Sequence, residues 1–373
     1  MLTAIYIHIP FCDHICTYCD FHKSLANDAK KERYVSALVK ELRHRENDLV
    51  NIRTVYIGGG TPLSLNETLL EKLLDTIKQV VNLDEIEEYT IETNPNNLTE
   101  SKVALLQQYG VNRVSIGVQT FHPGQLEYLG RDHSVSDIAE CVSLLRKANF
   151  PNISIDMIFS LIHQTIEELD DDIDQLLRLD VDHVSYYSLI LEERTLLFHQ
   201  YQQGEIELNS EDLEADMFQR VIDRMTADGY HHYEISNFAK PGRESLHNKA
   251  YWLNLDYLGF GSGSHSHRNG TRFYHVPKVA AYIQQIEQDN YEYYHKEEVD
   301  DCVDRLLVGL RLLEGIDVLE YEQDCQGKLL TRFPELQEHI DNELVEIVDN
   351  RLRLTPRGIR LGNIVFMTFL EGS

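Results

Sequence analysis

Short apolar runs alternate with amphipathic segments through the first half of the chain. Short runs rich in β-branched and aromatic residues are typical of buried strands, and apolar positions three or four residues apart are typical of helices. The predicted strands are Ala4–Ile9, Thr54–Ile57, Tyr89–Glu92, Arg113–Val118, Ser154–Ile158 and His183–Leu189. The predicted helices lie around Lys31–Arg45, Glu67–Val80, Ser101–Tyr109, Val135–Ala148 and Ile166–Leu177. This alternation indicates βαβ units, a parallel sheet and an α/β fold.

Polar residues or glycines lie on or after every predicted strand. The segments are Cys12–Asp20, Gly58–Pro62, Glu92–Pro95, Gly117–Phe121, Asp156 and Ser185–Ser188. Six strands with helices between them predict a partial (β/α)6 barrel similar to a TIM barrel, in which the carboxyl ends of the strands meet on one face. We therefore expect one active face that gathers these segments.

The second half of the chain has a different pattern. Residues 191–230 are acidic and helical, and residues 231–275 are rich in aromatic residues, His and Gly. The elements predicted after them are a helix from residue 297, strand Leu344–Val348, an Asp349-Asn350 turn, strand Arg351–Leu354, and a helix with Thr355 as N-cap and Pro356 in its first turn. They resemble a small α+β winged-helix module. The predicted domains are 1–230, a connecting segment 231–290, and 291–373.

Composition narrows the function classes. The chain has 373 residues, with 34 Lys and Arg against 62 Asp and Glu, a formal net charge of −28. A general nucleic-acid binder needs a basic surface, so we expect no nucleic-acid partner. No apolar stretch has membrane-spanning length, and the first residues lack the basic region of a signal peptide. We therefore expect a cytoplasmic protein with free thiols.

Cys12, Cys16 and Cys19 follow the first strand on one short loop. Three thiolates there can hold three irons of a cubane iron–sulfur cluster and leave the fourth iron open to a substrate. Structural zinc sites are closed by four ligands in paired spacings, and an odd number of cysteines cannot pair off as disulfides. Cys141 and Cys302 fall in step with apolar helix positions and are predicted to be small buried hydrophobes, while no role is predicted for Cys325.

Three consecutive glycines, Gly58–Gly60, let the backbone approach a ligand closely. A simple tight turn is the alternative interpretation. Beside an open iron, free amides and carbonyls suit the amino end of an amino-acid-like ligand. Four polar residues on the same face could bind ammonium, ribose hydroxyl and carboxylate groups; any one of them alone would more often be a surface or helix-cap residue. They are Glu92, Gln119, Arg131 and Asp156.

The cysteine spacing with Tyr18 before the last Cys, followed by a Gly-Gly-Thr-Pro turn at 59–62, resembles the radical S-adenosylmethionine superfamily. The strings at 6–12, 115–119, 129–131 and 246–252 resemble its oxygen-independent coproporphyrinogen dehydrogenase branch, and the likeness covers essentially the whole chain. The resemblance implies a [4Fe–4S] cluster on Cys12, Cys16 and Cys19 whose open iron binds S-adenosylmethionine. Its implied contacts are Gly59, Gly60 and Thr61 at the methionine end, Tyr18 near the adenine, and Tyr6, Glu92, Gln119, Arg131 and Asp156 elsewhere.

Phe21 separates two groups within this branch. The dehydrogenases carry a further Cys two residues after the third and an N-terminal extension, whereas this chain has Phe21 and reaches Tyr6 almost at once. Both features resemble the sister group of haem chaperones. That resemblance implies a protein that binds haem and delivers it to haem proteins such as respiratory enzymes of the membrane. It also allows for a homodimer. The alternatives are a coproporphyrinogen dehydrogenase, and a structural protein whose cluster only joins parts of the barrel.

The sister group also shows a His-Asn-x-x-Tyr-Trp motif, matched here by residues 247–252. Imidazole is a standard haem ligand, and adjacent aromatic rings can pack a porphyrin plane. The resemblance therefore implies that His247 binds haem; the alternative is a hydrogen-bonded structural histidine. Two segments depart from the branch: it tends to have Gly-Leu-Pro where this chain has Ser160-Leu161-Ile162, and glycine where this chain has Asn254.

Overall fold

The computed structural model describes residues 3–371. Met1, Leu2, Gly372 and Ser373, with which the first and last predicted domains begin and end, lie outside the described residues. The elements of the first half are β1 (Ala4–Ile9), α1 (Asp28–His44), β2 (Thr54–Gly59), α2 (Glu67–Val80), β3 (Glu88–Thr93), α3 (Glu100–Gln108), β4 (Arg113–Gln119), α4 (Pro123–Tyr128), α5 (Val135–Lys147), β5 (Asn152–Phe159), α6 (Ile166–Arg178) and β6 (His183–Ser188).

The second half contains two groups of elements. The first group is α7 (Leu196–Gln202), α8 (Glu211–Ala227), β7 (His231–Glu234), β8 (Asn237–Ala239), α9 (Leu246–Trp252), β9 (Tyr257–Phe260), β10 (His265–Arg268), β11 (Thr271–Tyr274), α10 (Val279–Glu287) and β12 (His295–Glu298). The second group is α11 (Asp301–Gly309), β13 (Ile316–Asp317), α12 (Val318–Asp324), α13 (Leu329–Arg332), α14 (Leu336–Asp341), β14 (Val345–Val348), β15 (Arg351–Leu354), α15 (Pro356–Arg360) and α16 (Gly362–Glu371).

Strands β1 to β6 are parallel neighbours in chain order at the centre of a 12-stranded sheet. The α/β fold with six parallel strands, predicted as a partial barrel, is confirmed. Side chains alternate between the two faces of a strand, so Ile5, Ile7 and Ile9 of β1 lie on one face, where they are fully buried, while Tyr6 and His8 lie on the other face. Asn27 and Asn66 cap α1 and α2 through their side chains, and this fixes where the helices begin.

The other six strands of the main sheet were not predicted from the sequence. β9 pairs in parallel with β1. Beyond β9, the sheet continues through the antiparallel strands β10, β11 and β12, and at the other end β8 and β7 extend it beyond β6. These strands are three or four residues long and mostly polar, so no apolar run marks them. The segment 231–290 thus contributes strands to the main sheet, while its boundaries as a domain stay a prediction.

The last domain is built on the three-stranded sheet β13-β15-β14, as the winged-helix-like prediction required. Asp349 and Asn350 both have positive φ, 48° and 65°, in the predicted hairpin turn, and the Thr355 side chain accepts from the Gly358 amide as the predicted N-cap. A disulfide joins Cys302 of α11 to Cys325 at the end of α12. The prediction of a small buried hydrophobe at Cys302 and of no role for Cys325 is therefore wrong: the two cysteines are 23 positions apart in the sequence, and only the packing of the helices brings them together.

Ser160 and Asn254, two of the positions that depart from the branch pattern, both adopt left-handed backbone, with φ of 57° and 51°. Glycine occupies such positions without steric cost, and asparagine tolerates them better than most residues. Within residues 3–371, no helix combines the length and apolar character needed to cross a membrane.

A buried carboxylate ties the added strands to the barrel. Glu41 on α1 is fully buried, and its Oε1 lies 2.6 Å from Nε2 of His275. Its Oε2 accepts from the Tyr282 hydroxyl of α10 at 2.6 Å and from the Gly261 amide at 3.1 Å. Burial alone would raise the pKa of Glu41, but the charge and hydrogen bonds of these partners hold it below its ordinary value. The ionised carboxylate thus anchors the turn before β10.

We expect Glu41→Ala to lower the free energy of unfolding by about 3–5 kcal/mol, because it leaves His275 and the Gly261 amide buried without their partner. Thermal and denaturant unfolding at neutral pH measure the change. Glu46→Ala, at an exposed position just after α1, is the matched control. Equal stability of the two variants would contradict this role for Glu41.

Candidate functional site

A cavity of about 120 Å³ lies at the carboxyl ends of the parallel strands. It is lined by every residue predicted for the cluster and S-adenosylmethionine except Tyr6. Those residues are Cys12, Cys16, Cys19, Tyr18, Gly59, Gly60, Thr61, Glu92, Gln119, Arg131 and Asp156. They come from the loop after β1, the ends of β2 to β5, and the segment after α4. Parallel strands thus bring together residues far apart in sequence, as the predicted active face requires.

The glycines at the end of β2 are required by close packing. Gly59 has φ of 124°, and a Cβ there would lie 2.6 Å from Cε1 of His8. A Cβ on Gly60 would lie 2.8 Å from the carbonyl oxygen of Phe11 and 2.9 Å from Sγ of Cys12. Real Cβ contacts essentially never approach this closely. The end of β2 therefore packs directly against the cysteine loop, and any larger residue displaces that loop.

Three thiols face the cavity. Burial raises the pKa of the Cys12 thiol to about 11, against a weaker opposing hydrogen bond from Thr61, whose Oγ1 lies 3.7 Å from Sγ. Burial also raises the pKa of the Cys19 thiol. Buried thiols of this kind become thiolates readily only when a metal replaces the proton. Among the described residues no fourth thiol lines this cavity: Cys141 is buried on α5, and the remaining two cysteines form the disulfide.

Arg131 joins the thiols to the strand ends. Its Nη1 lies 3.6 Å from Sγ of Cys16, and its Nη2 donates to Oδ1 of Asn94 at 2.8 Å and to the Gly117 carbonyl at 2.5 Å. A guanidinium with this many partners is held in one orientation. It places a fixed positive charge beside the thiolates and at the edge of the cavity, where a carboxylate of a ligand would be stabilised.

Glu92 lines the same cavity and is held by two hydrogen bonds. Its Oε1 accepts from the Tyr56 hydroxyl at 2.7 Å, and its Oε2 accepts from the Gly59 amide at 3.0 Å. Burial raises the pKa of Glu92 to about 7, with a further contribution from the charge of Asp156 and opposition from the two hydrogen bonds and Arg113. A carboxylate so poised gains from a cationic ligand, because the cation offsets the cost of burying the charge.

Asp156 and Gln119 complete the cavity. Asp156 accepts from Ser115 Oγ at 3.2 Å, and burial raises its pKa above the ordinary value despite that bond and the charge of Arg113. Gln119 has φ of 74° at a bulge where β4 shifts register against β5, which turns its side chain out of the regular strand. Both residues are hydrogen-bonding groups for hydroxyls of a ligand.

Sequence reasoning missed Asn94, which donates to Thr61 Oγ1 at 3.3 Å and accepts from Arg131. It missed Lys23 as well, another residue that lines the cavity. Asn94 lies just after β3, within the polar segment Glu92–Pro95 that was predicted to lie on the active face, so its place in the site could have been predicted. Nothing in the sequence distinguished Lys23 from other surface lysines.

Tyr6 and His247 lie outside the 120 Å³ cavity. Tyr6 lines a second cavity of about 590 Å³, where its hydroxyl is 3.1 Å from Nδ1 of His8. His247 is buried behind that cavity, with Nδ1 2.8 Å from Thr54 Oγ1 and Nε2 2.8 Å from the Tyr251 hydroxyl. Burial lowers the pKa of His247 to about 3, so the imidazole is neutral. Its predicted contact with haem stays a prediction.

The two cavities adjoin. Phe21, Gly59 and Glu92 line both of them, and the Phe21 side chain is 74% exposed at their common edge. The larger cavity continues between α9, the turn before β10 and Val308 of α11. Its volume lies within the range of about 300–1,000 Å³ typical of ligand pockets. A second, larger ligand can therefore lie directly beside the cysteine site.

Comparisons with known proteins agree with this geometry. Residues 6–176 match the Radical SAM superfamily, and residues 300–361 match the HemN C-terminal domain. The heme chaperone HemW of Bacillus subtilis (strain 168) is 38% identical over 376 residues, covering 99% of this chain and 99% of that protein. The chain belongs to the HemW family. HemW of Lactococcus lactis subsp. lactis (strain IL1403) is likewise 38% identical, covering 98% of this chain and 97% of that protein.

A solved structure similar to this HemW family member is coproporphyrinogen III oxidase (HemN) from Escherichia coli. It has a TM-score of 0.86 at 23% sequence identity and covers 99% of this chain and 90% of that chain. Identity at that level shows a shared fold. The fold similarity thus covers the barrel, the added strands and the last domain together.

As a member of the HemW family with a Radical SAM region, the chain takes a [4Fe–4S] cluster and S-adenosylmethionine, and its residues fit both. Cys12, Cys16 and Cys19 would hold three irons of the cluster, and with no fourth thiol on this cavity one iron would stay open to S-adenosylmethionine. Arg131 would stabilise the thiolates and a ligand carboxylate, Glu92 would stabilise a cationic group, and Gly59 and Gly60 would leave room for close approach.

We expect Gly60→Ala to lose most of its cluster, because the added methyl group would displace Cys12. Iron content and visible absorption after anaerobic reconstitution measure this loss. Gly124→Ala on α4 is the matched control, since a Cβ there meets no atom within 4 Å. Full cluster content in Gly60→Ala would show that the cysteine loop does not depend on this contact.

We expect the affinity for S-adenosylmethionine to weaken as the pH falls through about 7, the pKa of Glu92. The proton competes with the cationic ligand, so the dissociation constant should approach a change of about tenfold per pH unit below that value. Glu92→Gln should bind more weakly at neutral pH and lose this dependence. Anaerobic titration calorimetry at pH values below and above 7 measures the dissociation constant of both proteins. An identical pH profile in the variant would assign the titration to another group.

Proposed function

We propose that this protein is a haem chaperone, which binds haem and transfers it to haem-dependent proteins. The observation that carries the proposal is the 590 Å³ cavity beside the three-cysteine site, walled by aromatic and histidine side chains. Porphyrin rings pack favourably on aromatic faces, and imidazole is a standard ligand of haem iron. The relatives in Bacillus subtilis and Lactococcus lactis are the heme chaperone HemW of each organism, which supports the same function.

Phe21 favours this function over a coproporphyrinogen dehydrogenase, which resembles this chain in fold. Dehydrogenases of the branch carry a cysteine at this position, and here an exposed phenyl ring lies between the two cavities. In the proposed chaperone the cluster and S-adenosylmethionine serve as a structural or regulatory unit. Because Glu92 and Gly59 border both cavities, binding at the cysteine site changes the wall of the larger one.

The proposal extends to location and partners. We propose that the protein works in the cytoplasm, that respiratory enzymes of the membrane are among the acceptors of its haem, and that two copies can associate. The strongly acidic charge of −28 supports recognition of acceptors with basic surfaces. Light scattering with and without S-adenosylmethionine tests the association.

We expect the anaerobically reconstituted protein to bind haem in a stoichiometric complex and to pass it to an apo-haem protein. Absorption spectroscopy follows both steps, with the activity of the acceptor as a second readout. The same preparation should form no protoporphyrinogen from coproporphyrinogen with S-adenosylmethionine and a reductant. Turnover in that assay would establish the dehydrogenase instead, and failure to bind haem would reject the chaperone.

A further inference from the structure

Four histidines line the larger cavity, and three of them are engaged in hydrogen bonds. His8 has both ring nitrogens engaged, Nδ1 with the Tyr6 hydroxyl at 3.1 Å and Nε2 with the His22 carbonyl at 2.8 Å. His267 has Nε2 2.9 Å from Oδ1 of Asp301. The third hydrogen-bonded histidine is His22, and the fourth histidine of the cavity is His265.

His22 and His265 differ in how free their imidazoles are. Nε2 of His22 lies 3.4 Å from Ser262 Oγ, and its ring stacks on that of His8 with centroids 5.5 Å apart. The His265 ring is exposed and makes no side-chain hydrogen bond within residues 3–371; its described ring contact is stacking on Tyr274 at 4.8 Å. Partial desolvation of the imidazole and the charge of Arg272 lower the pKa of His265, which favours the neutral form with a free lone pair. Such a nitrogen is available to a metal.

The turn before β10 fixes where His265 lies. Gly261 and Gly263 have φ of 93° and 70°. A Cβ on Gly261 would lie 2.5 Å from the Tyr34 hydroxyl, and one on Gly263 would lie 3.0 Å from the His22 ring. The Ser262 amide donates to the same Tyr34 hydroxyl at 3.0 Å. This turn is therefore packed against β1 and α1, and it presents His265 on a rigid support.

The cavity also has a cationic end and an aromatic wall. Arg272 is the one lysine or arginine among its described lining residues, and its guanidinium is 2.9 Å from Oδ2 of Asp304. Arginine binds carboxylates in pairs of parallel hydrogen bonds. Tyr251 and Tyr257 meet edge to face with centroids 4.6 Å apart on the wall of α9 and β9. A planar ring with carboxylate side chains matches this distribution of groups.

We propose that haem occupies this cavity with its iron bound axially by the imidazole of His265 and its propionates directed to Arg272. This assignment rests on the proposed function and adds a ligand to it. His247 then acts as a positioning residue, because both its nitrogens are already bonded and its Nε2 holds the Tyr251 hydroxyl at the cavity wall.

The test compares histidine variants of the full-length, cluster-loaded protein titrated with haem. We expect the wild type to show an imidazole-ligated haem by electron paramagnetic resonance and by the iron–imidazole band in resonance Raman spectra. His265→Ala should lose that signature and bind haem at least about tenfold more weakly, since even outer partners of metal ligands cost about 10–100-fold. Added imidazole should restore the ligation in this variant, because it fills the space left by the side chain.

Two further variants test whether His265 or His247 is the axial ligand of the haem iron. His247→Ala should bind haem more weakly but keep the imidazole signature, because it loosens Tyr251 without removing the axial ligand. His199→Ala, exposed on α7, is the control and should match the wild type. An unchanged signature in His265→Ala, or its loss in His247→Ala, would overturn the assignment while the chaperone function stands. No haem binding by the wild type would reject the proposed function itself.

Discussion

The closeness of β2 to the cysteine loop is the constraint on which the site depends. With no side chain at Gly60, the strand end lies against Phe11 and Cys12, and one loop can present three thiols to the cavity formed by the other strand ends. Arg131 and Glu92 line that cavity, each fixed by hydrogen bonds to neighbouring strands. The same strand end borders the larger cavity, so both ligand sites share one wall.

Much of this site could be predicted because its residues carry local signals. Thiol spacing, consecutive glycines and polar strand ends are visible in sequence, and parallel topology alone brings Thr61, Gln119 and Asp156 to the same face. The six central strands were predictable for a similar reason, because short runs rich in β-branched and aromatic residues alternate with helical patterns in this half of the chain. Asn94 was missed although it carries the same signal, because its role depends on a hydrogen bond to a distant arginine.

The rest depends on contacts between distant segments that no local pattern encodes. The short strands β9 to β12 are held by pairing with β1 and by the buried Glu41, not by their own apolar residues. The disulfide of Cys302 and Cys325 follows from helix packing. The motif at 247–252 drew attention to His247, whereas the structure buries that imidazole in two hydrogen bonds and leaves His265 free at the cavity.

The site is built so that three protein thiols leave one iron of the cluster open toward the cavity of Glu92 and Arg131. Mössbauer spectroscopy of the protein reconstituted with ⁵⁷Fe, before and after addition of S-adenosylmethionine, can detect that iron. We expect one iron of the four to change its isomer shift when the ligand binds, while the other three do not. Spectra without a cubane cluster, or with iron sites that are indifferent to the ligand, would contradict it.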